Sequence, residues 1–194
     1  MYEQLLRDSR LYHTLHRYDK DLAAQTRAEG CEECGAKLDS ARYPRKPRGV
    51  PGNLSREDKL HHSLCCRQCR KRHNPPSLRF FRCRHYVGVV VALASAMVGG
   101  ITEKRAAAMR DLVGVSVRTL YRWREWWQET LPQTAFWKAA RARLGRPVDA
   151  ARLPASLLER IRGTDLEDRI FRLLYFLSPT TTSWPGAARL SMPG

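Results

Sequence analysis

Two closely spaced pairs of cysteines are the residues whose types and spacing most clearly predict chemistry in this sequence. Cys31 and Cys34 form a CxxC turn followed by Gly35, and Cys66 and Cys69 form a second one. Thiolates at i and i+3 of a tight turn converge on one point, so two such turns can complete a tetrahedral metal site. Glycine tolerates the positive φ that such a turn needs. We therefore predict one structural zinc ion, which would stabilise folding rather than perform catalysis.

Neighbouring residues leave alternatives to this ligand set. Cys65 competes with Cys66, and we favour Cys66 because it has the two-residue spacing to Cys69. Cys83 stands alone and is expected to be a small buried residue. A redox dithiol is the rival interpretation, but such motifs need a strand–helix context that is not recognisable here. Three histidines lie close enough in the chain to replace a cysteine: His61, His62 and His73.

Charge is the strongest compositional signal. The chain of 194 residues has 35 Lys plus Arg against 19 Asp plus Glu, a formal net charge of +16. Such a surplus favours a polyanionic partner, because each neutralised phosphate releases condensed counterions. We expect double-stranded DNA as that partner, and the sequence alone does not separate DNA from RNA. An anionic membrane surface would also attract this charge.

Other compositional features indicate a cytoplasmic, nucleoid-associated protein without a membrane partner. The N-terminal residues lack the apolar core of a secretory signal. The apolar run Tyr86–Val98 falls short of the roughly 20 residues that a membrane span needs. Six cysteines without a secretion signal favour metal or free thiols over disulfides.

The stretch Ile101–Leu131 predicts two helices joined by a tight turn. The first follows Thr102 and runs over 103–112, and the second begins at Ser116 and continues to about residue 129. Leu120, Trp123 and Trp127 form one apolar stripe of the second helix. A helix, a glycine-containing turn and a second helix with a basic outer face are typical of a helix-turn-helix. The alternative is an ordinary helical hairpin with solvated arginines. The residues expected to contact DNA are Ser116, Arg118, Thr119, Tyr121 and Arg122.

A second basic segment lies between the two CxxC turns. Its prolines keep the chain extended, and no acidic residue interrupts it. We expect its side chains to contact phosphates or a minor groove, although a solvated loop is the alternative. These residues are Arg42, Arg45, Lys46 and Arg48. The basic character continues after the second turn in Arg70, Lys71, Arg72, Arg79, Arg82 and Arg84.

These patterns predict a mainly α protein with a small β zinc ribbon. The expected units are an N-terminal helix (1–30), a four-cysteine zinc ribbon with its basic loop (31–83), a trihelical helix-turn-helix (84–131) and C-terminal helices (132–177). We expect the last stretch, 178–194, to be disordered. The predicted core of the trihelical unit comprises Val90, Leu93, Met97, Met109, Leu112, Leu120 and Trp123.

The combination resembles the DNA-binding N-terminal part of bacterial insertion-sequence transposases. The run CCRQCRKRHNPPSLRFFRCRHYVG, with YPRKPRG before it and TLYRWREWW after it, also resembles small uncharacterised proteins associated with mobile elements. The resemblance implies a metal role for the four cysteines and a DNA-reading role for the helix over 116–125. It does not imply catalysis, because transposases need three separated carboxylates that hold two metal ions, and no such set is recognisable.

The sequence therefore predicts a non-enzymatic DNA-binding accessory protein of a mobile element, related to transposition or recombination. Two alternatives remain open. The chain could be an assembly adaptor that binds a transposase or integration partner, or it could be a small transcriptional regulator. A nuclease or recombinase is disfavoured because no carboxylates cluster. The sequence is compatible with a homo-oligomer but does not determine the oligomeric state.

Overall fold

The computed structural model of the chain describes residues 2–80, 90–91, 102–144 and 147–182. It is mainly helical, with a small three-stranded antiparallel sheet and a cluster of cysteines. This confirms the coarse fold class that the sequence predicts. None of the helices in the described ranges combines the length and apolar character that crossing a bilayer requires. Most of the apolar run Tyr86–Val98 lies outside the described residues.

The N-terminal segment forms two helices where one was predicted. Helix α1 spans Tyr2–Arg7 and helix α2 spans Ser9–Glu29. Asp8 separates them because its extended backbone caps α2, with its carboxylate accepting a hydrogen bond from the backbone N–H of Arg10. Gly30 ends α2 with a φ of 82°, a conformation that glycine adopts without strain.

The sheet consists of β1 (Leu38–Pro44), β2 (Leu60–Cys66) and β3 (Arg72–His73) in that spatial order. Both pairings are antiparallel, and the first runs from Leu38 opposite Cys66 to Pro44 opposite Leu60. A short 3-10 turn over Glu57–Lys59 leads into β2. The first half of the predicted basic loop therefore belongs to a paired strand.

The remaining described helices follow the predicted order closely. The second helix of the predicted pair was expected to continue to about residue 129, but helical backbone extends further, past Pro132. This proline lies in the first turn of a new helical segment, where the missing N–H needs no partner. The elements are α3 (Glu103–Val113), α4 (Val117–Glu125) with a π-helical turn (Trp126–Thr130) and a further turn (Leu131–Gln133), α5 (Ala135–Ala140), a 3-10 turn (Arg141–Leu144), α6 (Ala155–Arg160) and α7 (Leu166–Leu177).

One apolar core joins the N-terminal helices to the C-terminal ones. It extends from Leu6 of α1 to Leu177 of α7. Among the residues predicted for the trihelical core, Leu112 is partly buried, and Leu93 and Met97 lie outside the described residues. Val90 and Val91 are helical. The predicted core residues that are buried are Val90, Met109, Leu120 and Trp123.

The chain after α7 stays ordered for longer than expected. Ser178–Thr181 form a 3-10 turn, and both end residues are buried. The Thr181 hydroxyl oxygen accepts a hydrogen bond of 2.9 Å from the backbone N–H of Ser77. This contact holds the C-terminal segment against the stretch that follows the sheet. Residues 183–194 of the expected disordered tail lie outside the described ranges.

Candidate metal centre and candidate nucleic-acid interface

The first cysteine turn begins directly after α2. The Gly35 N–H donates to the Cys31 carbonyl at 2.7 Å, and the Cys31 N–H donates to the Ala36 carbonyl at 2.9 Å. Gly35 has a φ of 70°, as predicted for the residue after the second cysteine. These two bonds fold the backbone back so that the side chains of Cys31 and Cys34 lie on the same side of the turn.

The second turn repeats this geometry at the end of β2. The Cys66 N–H donates to the Lys71 carbonyl at 2.9 Å. Arg70 lies four residues after Cys66, as Gly35 lies four residues after Cys31, and it has a φ of 61°. It is a non-glycine residue in the left-handed region, which is uncommon. The same backbone turn is therefore formed twice, once with glycine and once with arginine.

The four sulfur atoms converge on one point between the turns. The Cys31 and Cys69 sulfurs are 3.6 Å apart, the Cys34 and Cys66 sulfurs are 3.5 Å apart, and all four lie within 4.8 Å of one another. A tetrahedron with metal–sulfur distances of about 2.3 Å has edges of about 3.8 Å. The cluster is thus positioned to hold a metal ion and is compatible with a structural zinc, and its members are the four cysteines that the spacing predicts.

The environment of Cys66 favours its thiolate form. Burial alone would raise the pKa of this thiol, but the backbone N–H groups of Cys69 and Gln68 both point at its sulfur at 3.4 Å. Together with the neighbouring thiols they lower the pKa of Cys66 to about 6. The backbone N–H of Lys71 lowers the pKa of Cys69, but desolvation and the neighbouring sulfurs of Cys66, Cys31 and Cys34 together raise it above its usual value. Four thiolates at these separations repel one another, and a divalent cation is the natural counterion.

The alternatives to this ligand set lie elsewhere. The Cys65 sulfur is directed at the backbone carbonyl of Arg70, at 3.6 Å, which settles the choice in favour of Cys66. His73 is buried, and its Nε2 contacts the Cys31 sulfur at 3.3 Å from outside the cluster. His61 and His62 lie along β2, away from the sulfurs. Cys83 lies outside the described residues.

The predicted helix pair is present as α3, a turn and α4. Gly114 has a φ of 64° in the turn, and Ser116 caps α4, with its hydroxyl oxygen accepting from the Thr119 N–H at 3.3 Å. The predicted stripe of Leu120, Trp123 and Trp127 is buried. The outer face carries exposed Arg118 and Arg122, with Tyr121 52% exposed and Val117 43% exposed. Thr119 is partly buried.

The structure divides the predicted basic segment. Arg42, Lys46 and Arg48 are exposed. Arg45 is partly buried: its guanidinium donates to the Tyr43 hydroxyl at 3.2 Å and lies 5.5 Å from the centre of that ring. The segment therefore does not present four equivalent cations to solvent. Arg45 packs against Tyr43 and is less available than the other three to an external partner.

A buried ion pair that the sequence did not reveal joins α2 to the stretch after the sheet. Asp19 and Arg79 are 2% and 1% exposed, and the Arg79 Nε donates to an Asp19 carboxylate oxygen at 2.8 Å. Ser77 and the Leu78 backbone N–H donate to the same carboxylate, each at 2.6 Å. The Arg79 guanidinium also donates to the Leu60 carbonyl at 2.8 Å. Arg79, which the sequence analysis counted with the basic residues after the second cysteine turn, is therefore a buried cation that stabilises the fold.

One sequence signal could have identified this pair. Asp19 occupies the apolar stripe of α2, four residues after Leu15 and three before Leu22. A carboxylate at a core position of an amphipathic helix needs a buried partner, because an unpaired buried charge is strongly unfavourable. The sequence did not show which cation would supply that partner.

Histidines cluster beside this pair. The His16 Nδ1 lies 3.1 Å from Asp58, and the His16 and His62 rings are 5.5 Å apart. Burial, assisted by the nearby Arg79 charge, lowers the pKa of His62 to about 4. Burial and the Arg45 charge lower the pKa of His61 to about 4 as well. Both side chains are therefore neutral at physiological pH.

Comparison of the chain with protein-family models, with curated proteins and with solved structures finds no match in any of the three. The resemblance to the front end of insertion-sequence transposases therefore stays a prediction from motifs.

Proposed function

We propose that this protein binds double-stranded DNA through the outward face of α4, as an accessory protein of a mobile element. The observation that carries the proposal is the exposed set of Arg118, Tyr121 and Arg122 opposite a fully buried apolar stripe. That division leaves an exposed basic face on a short helix that follows a tight turn. The net charge of +16 supplies the sequence-independent attraction that such a contact needs.

The position of the arginines within α4 supports reading of base edges. Arg118 and Arg122 are four residues apart and share one helix face. Both lie in the first six residues of α4, and the N-terminal part of a recognition helix enters the major groove. An arginine donates two parallel hydrogen bonds to guanine, and each such contact discriminates by about 1–3 kcal/mol.

The cysteine cluster has a structural role in this proposal. We infer that it holds one zinc ion and shapes the module that carries Arg42, Lys46 and Arg48. These exposed cations would contact phosphates, which position a protein on the duplex without reading its sequence. The metal itself has four protein ligands and therefore no open position for catalysis.

The acids of the C-terminal helices favour an accessory role over an enzymatic one. Asp149 and Asp165 cap helical turns, and Glu159 accepts a hydrogen bond from Arg152 at 2.6 Å. Asp168 accepts from Arg172 at 2.9 Å. Each of these carboxylates has a local structural partner, whereas a two-metal site needs several of them to converge.

A second candidate function rests on the same face. Val117 and Tyr121 are two of the three large apolar side chains that are exposed among the described residues. Tyrosine and arginine are also the residue types enriched at the centres of protein interfaces. The face would then bind a transposase or integration partner, and DNA contact would be secondary.

Replacement of Arg118 and Arg122 by alanine separates the two functions. A preferred site is first selected from random duplexes, and binding is then measured on that site and on a scrambled one. We expect the double variant to lose about 1–3 kcal/mol per arginine on the selected site and much less on the scrambled site. The reason is that only base contacts depend on sequence.

The matched control is Arg141→Ala with Arg143→Ala, which removes two exposed arginines from the same helical body. It should lower affinity for both duplexes slightly and equally. Equal losses on both duplexes for the Arg118 and Arg122 variant would show that α4 does not read sequence. The adaptor function would then be favoured.

A further inference from the structure

A basic groove runs between α2 and the first two strands of the sheet. Its cationic residues are Lys20 and Arg27 of α2, Lys37 just before β1, Arg42 of β1, and Arg67, which pairs with Asp39. It encloses a volume of about 630 Å³. We propose that this α2–sheet groove is a second DNA contact, which holds the phosphate backbone of a duplex. The inference rests on the proposed function and extends the contact surface from Arg42 of the basic segment to Lys20, Arg27 and Lys37, which the motifs do not include.

The charge of the groove is largely uncompensated. Its one lining carboxylate, Asp39, accepts two hydrogen bonds from the Arg67 Nε, at 2.8 and 2.9 Å. Among the described residues, no carboxylate lies within 4.0 Å of Lys20, Lys37 or Arg42. Like charges held together without a counterion repel one another, and a polyanion relieves that repulsion.

Two lining residues also carry polar atoms without a partner. The Ser63 hydroxyl and the His62 Nε2 are buried and have no hydrogen-bond partner among the described residues. Ser63 is 1% exposed. A buried hydroxyl without a partner is costly, and a phosphate oxygen is an acceptor that would satisfy it. The site thus offers hydrogen-bond capacity as well as charge.

The residues that line the groove favour binding of the DNA phosphate backbone over binding of its bases. No phenylalanine, tyrosine or tryptophan lines the groove among the described residues. Single strands are held mainly by stacking of bases on such rings. The side chains that line the groove between the cations are small, including Ala24, Ala28 and Ser40, so a phosphate chain can approach closely. A duplex backbone fits this chemistry better than a single strand.

The test uses the full chain with Lys20→Ala and Lys37→Ala combined. Both side chains are exposed, and neither belongs to the metal cluster or to α4. We expect affinity to fall by the same factor on selected and scrambled duplexes. The slope of log K against log salt should become shallower by about 1.8, because two phosphate contacts are lost. Arg160→Ala with Arg162→Ala, two exposed cations far along the chain, is the control and should leave the slope unchanged.

The outcomes distinguish the two proposals. If the unmodified protein binds no duplex, the proposed function and the groove inference both fall. If it binds duplex but the lysine variant keeps the full slope, the groove inference falls and the proposed function stands. If the lysine variant lost affinity for the selected duplex alone, the groove would not be a contact for the phosphate backbone. Tighter binding of a single-stranded oligonucleotide of equal length would also overturn the groove inference, since it would reveal a site for bases.

Discussion

The sheet module and the helical body of this protein are held together in different ways. The sheet module has a very small apolar cluster of Cys31, Leu38, Leu64 and Cys66, with Ala36 packed against it. The helical body has one continuous core that extends from Leu6 to Leu177. The first region is too small to bury much apolar surface, whereas the second buries several tryptophans and many leucines.

This difference shows what the cysteines contribute. A segment of some forty residues rarely folds on hydrophobic burial alone, and small modules depend on a metal or disulfides instead. Two of the four cysteines are themselves half of the apolar cluster of the sheet module. In the sheet module, therefore, candidate metal ligands also form part of the apolar cluster, whereas the core of the helical body includes none of the four cysteines.

Loss of the metal should have the largest effect and should be confined to one region. Cys66→Ser, or removal of the metal by a chelator, should unfold the sheet module. Structural zinc contributes an apparent binding free energy of about 10–16 kcal/mol at neutral pH, and here that energy is folding energy. Helices α3 to α7 should keep their backbone hydrogen bonds. Metal analysis together with amide hydrogen exchange across the chain measures both parts.

Cys65→Ser is the matched control, because its sulfur lies one residue away and outside the cluster. It should keep its full metal content and its exchange protection. Metal retained by Cys66→Ser, or lost by Cys65→Ser, would contradict the ligand set. Collapse of the helical body on metal removal would contradict the separation of the two regions.

Removal of the buried ion pair should have the next largest effect and should reach both regions. Asp19→Ala leaves Arg79 buried without its countercharge, which costs about 3–5 kcal/mol of unfolding free energy. Because Asp19 binds α2 to the stretch after the sheet, sheet and helices should lose stability together. Denaturant unfolding followed by tryptophan fluorescence gives the free energy for the helical body, which holds the described tryptophans, and amide hydrogen exchange of β1 and β2 gives it for the sheet.

Asp21→Ala provides the control on the same helix, since Asp21 is exposed. It should change stability by no more than about 0.5 kcal/mol. Asp19→Ala combined with Arg79→Met should recover part of the loss, because no unpaired charge is then buried. If Asp19→Ala lowered the unfolding free energy no more than Asp21→Ala does, the Asp19–Arg79 ion pair would not couple the two regions.

The smallest effect concerns pH and two histidines of β2 whose rings are shielded from water. Burial lowers the pKa of His61 and His62 to about 4 in the folded protein, whereas a histidine in an unfolded chain has a pKa of about 6.5. Folding therefore favours the neutral rings. Their contribution to stability is complete above about pH 6.5 and decreases as the pH falls toward 4.

A variant with His61→Gln and His62→Gln tests this contribution. Thiolate protonation releases metal in both proteins, so the difference between them isolates the histidines. We expect the unfolding free energy of the unmodified protein to decline more steeply between pH 6.5 and 4 than that of the variant. Histidine NMR titrations should show two rings that stay neutral below pH 5. Parallel stability curves for the two proteins would contradict the lowered pKa values.

The local features of this protein could be predicted from the sequence because their causes are local. The CxxC spacing places the two sulfurs of each turn on the same side of that turn, and the pairing of β1 with β2 then brings the two turns together. Ser116 and Gly114 set the start of α4 and the turn before it. The spacing of Leu120, Trp123 and Trp127 places them on one face of α4, which is the buried face. Arg118 and Arg122 therefore lie on the exposed face.

Tertiary structure alone decided the role of each basic residue. Arg79 and Arg42 belong to the same basic composition, yet Arg79 is 1% exposed against Asp19 and Arg42 lines an open groove. The pairing of β1 with β2, and the packing of α2 on that sheet, bring Lys20 beside Lys37 and Arg42. Charge counts add over a sequence, whereas the energy of a charge depends on its neighbours and on its distance from water. Only contacts between residues far apart in the chain supply that information.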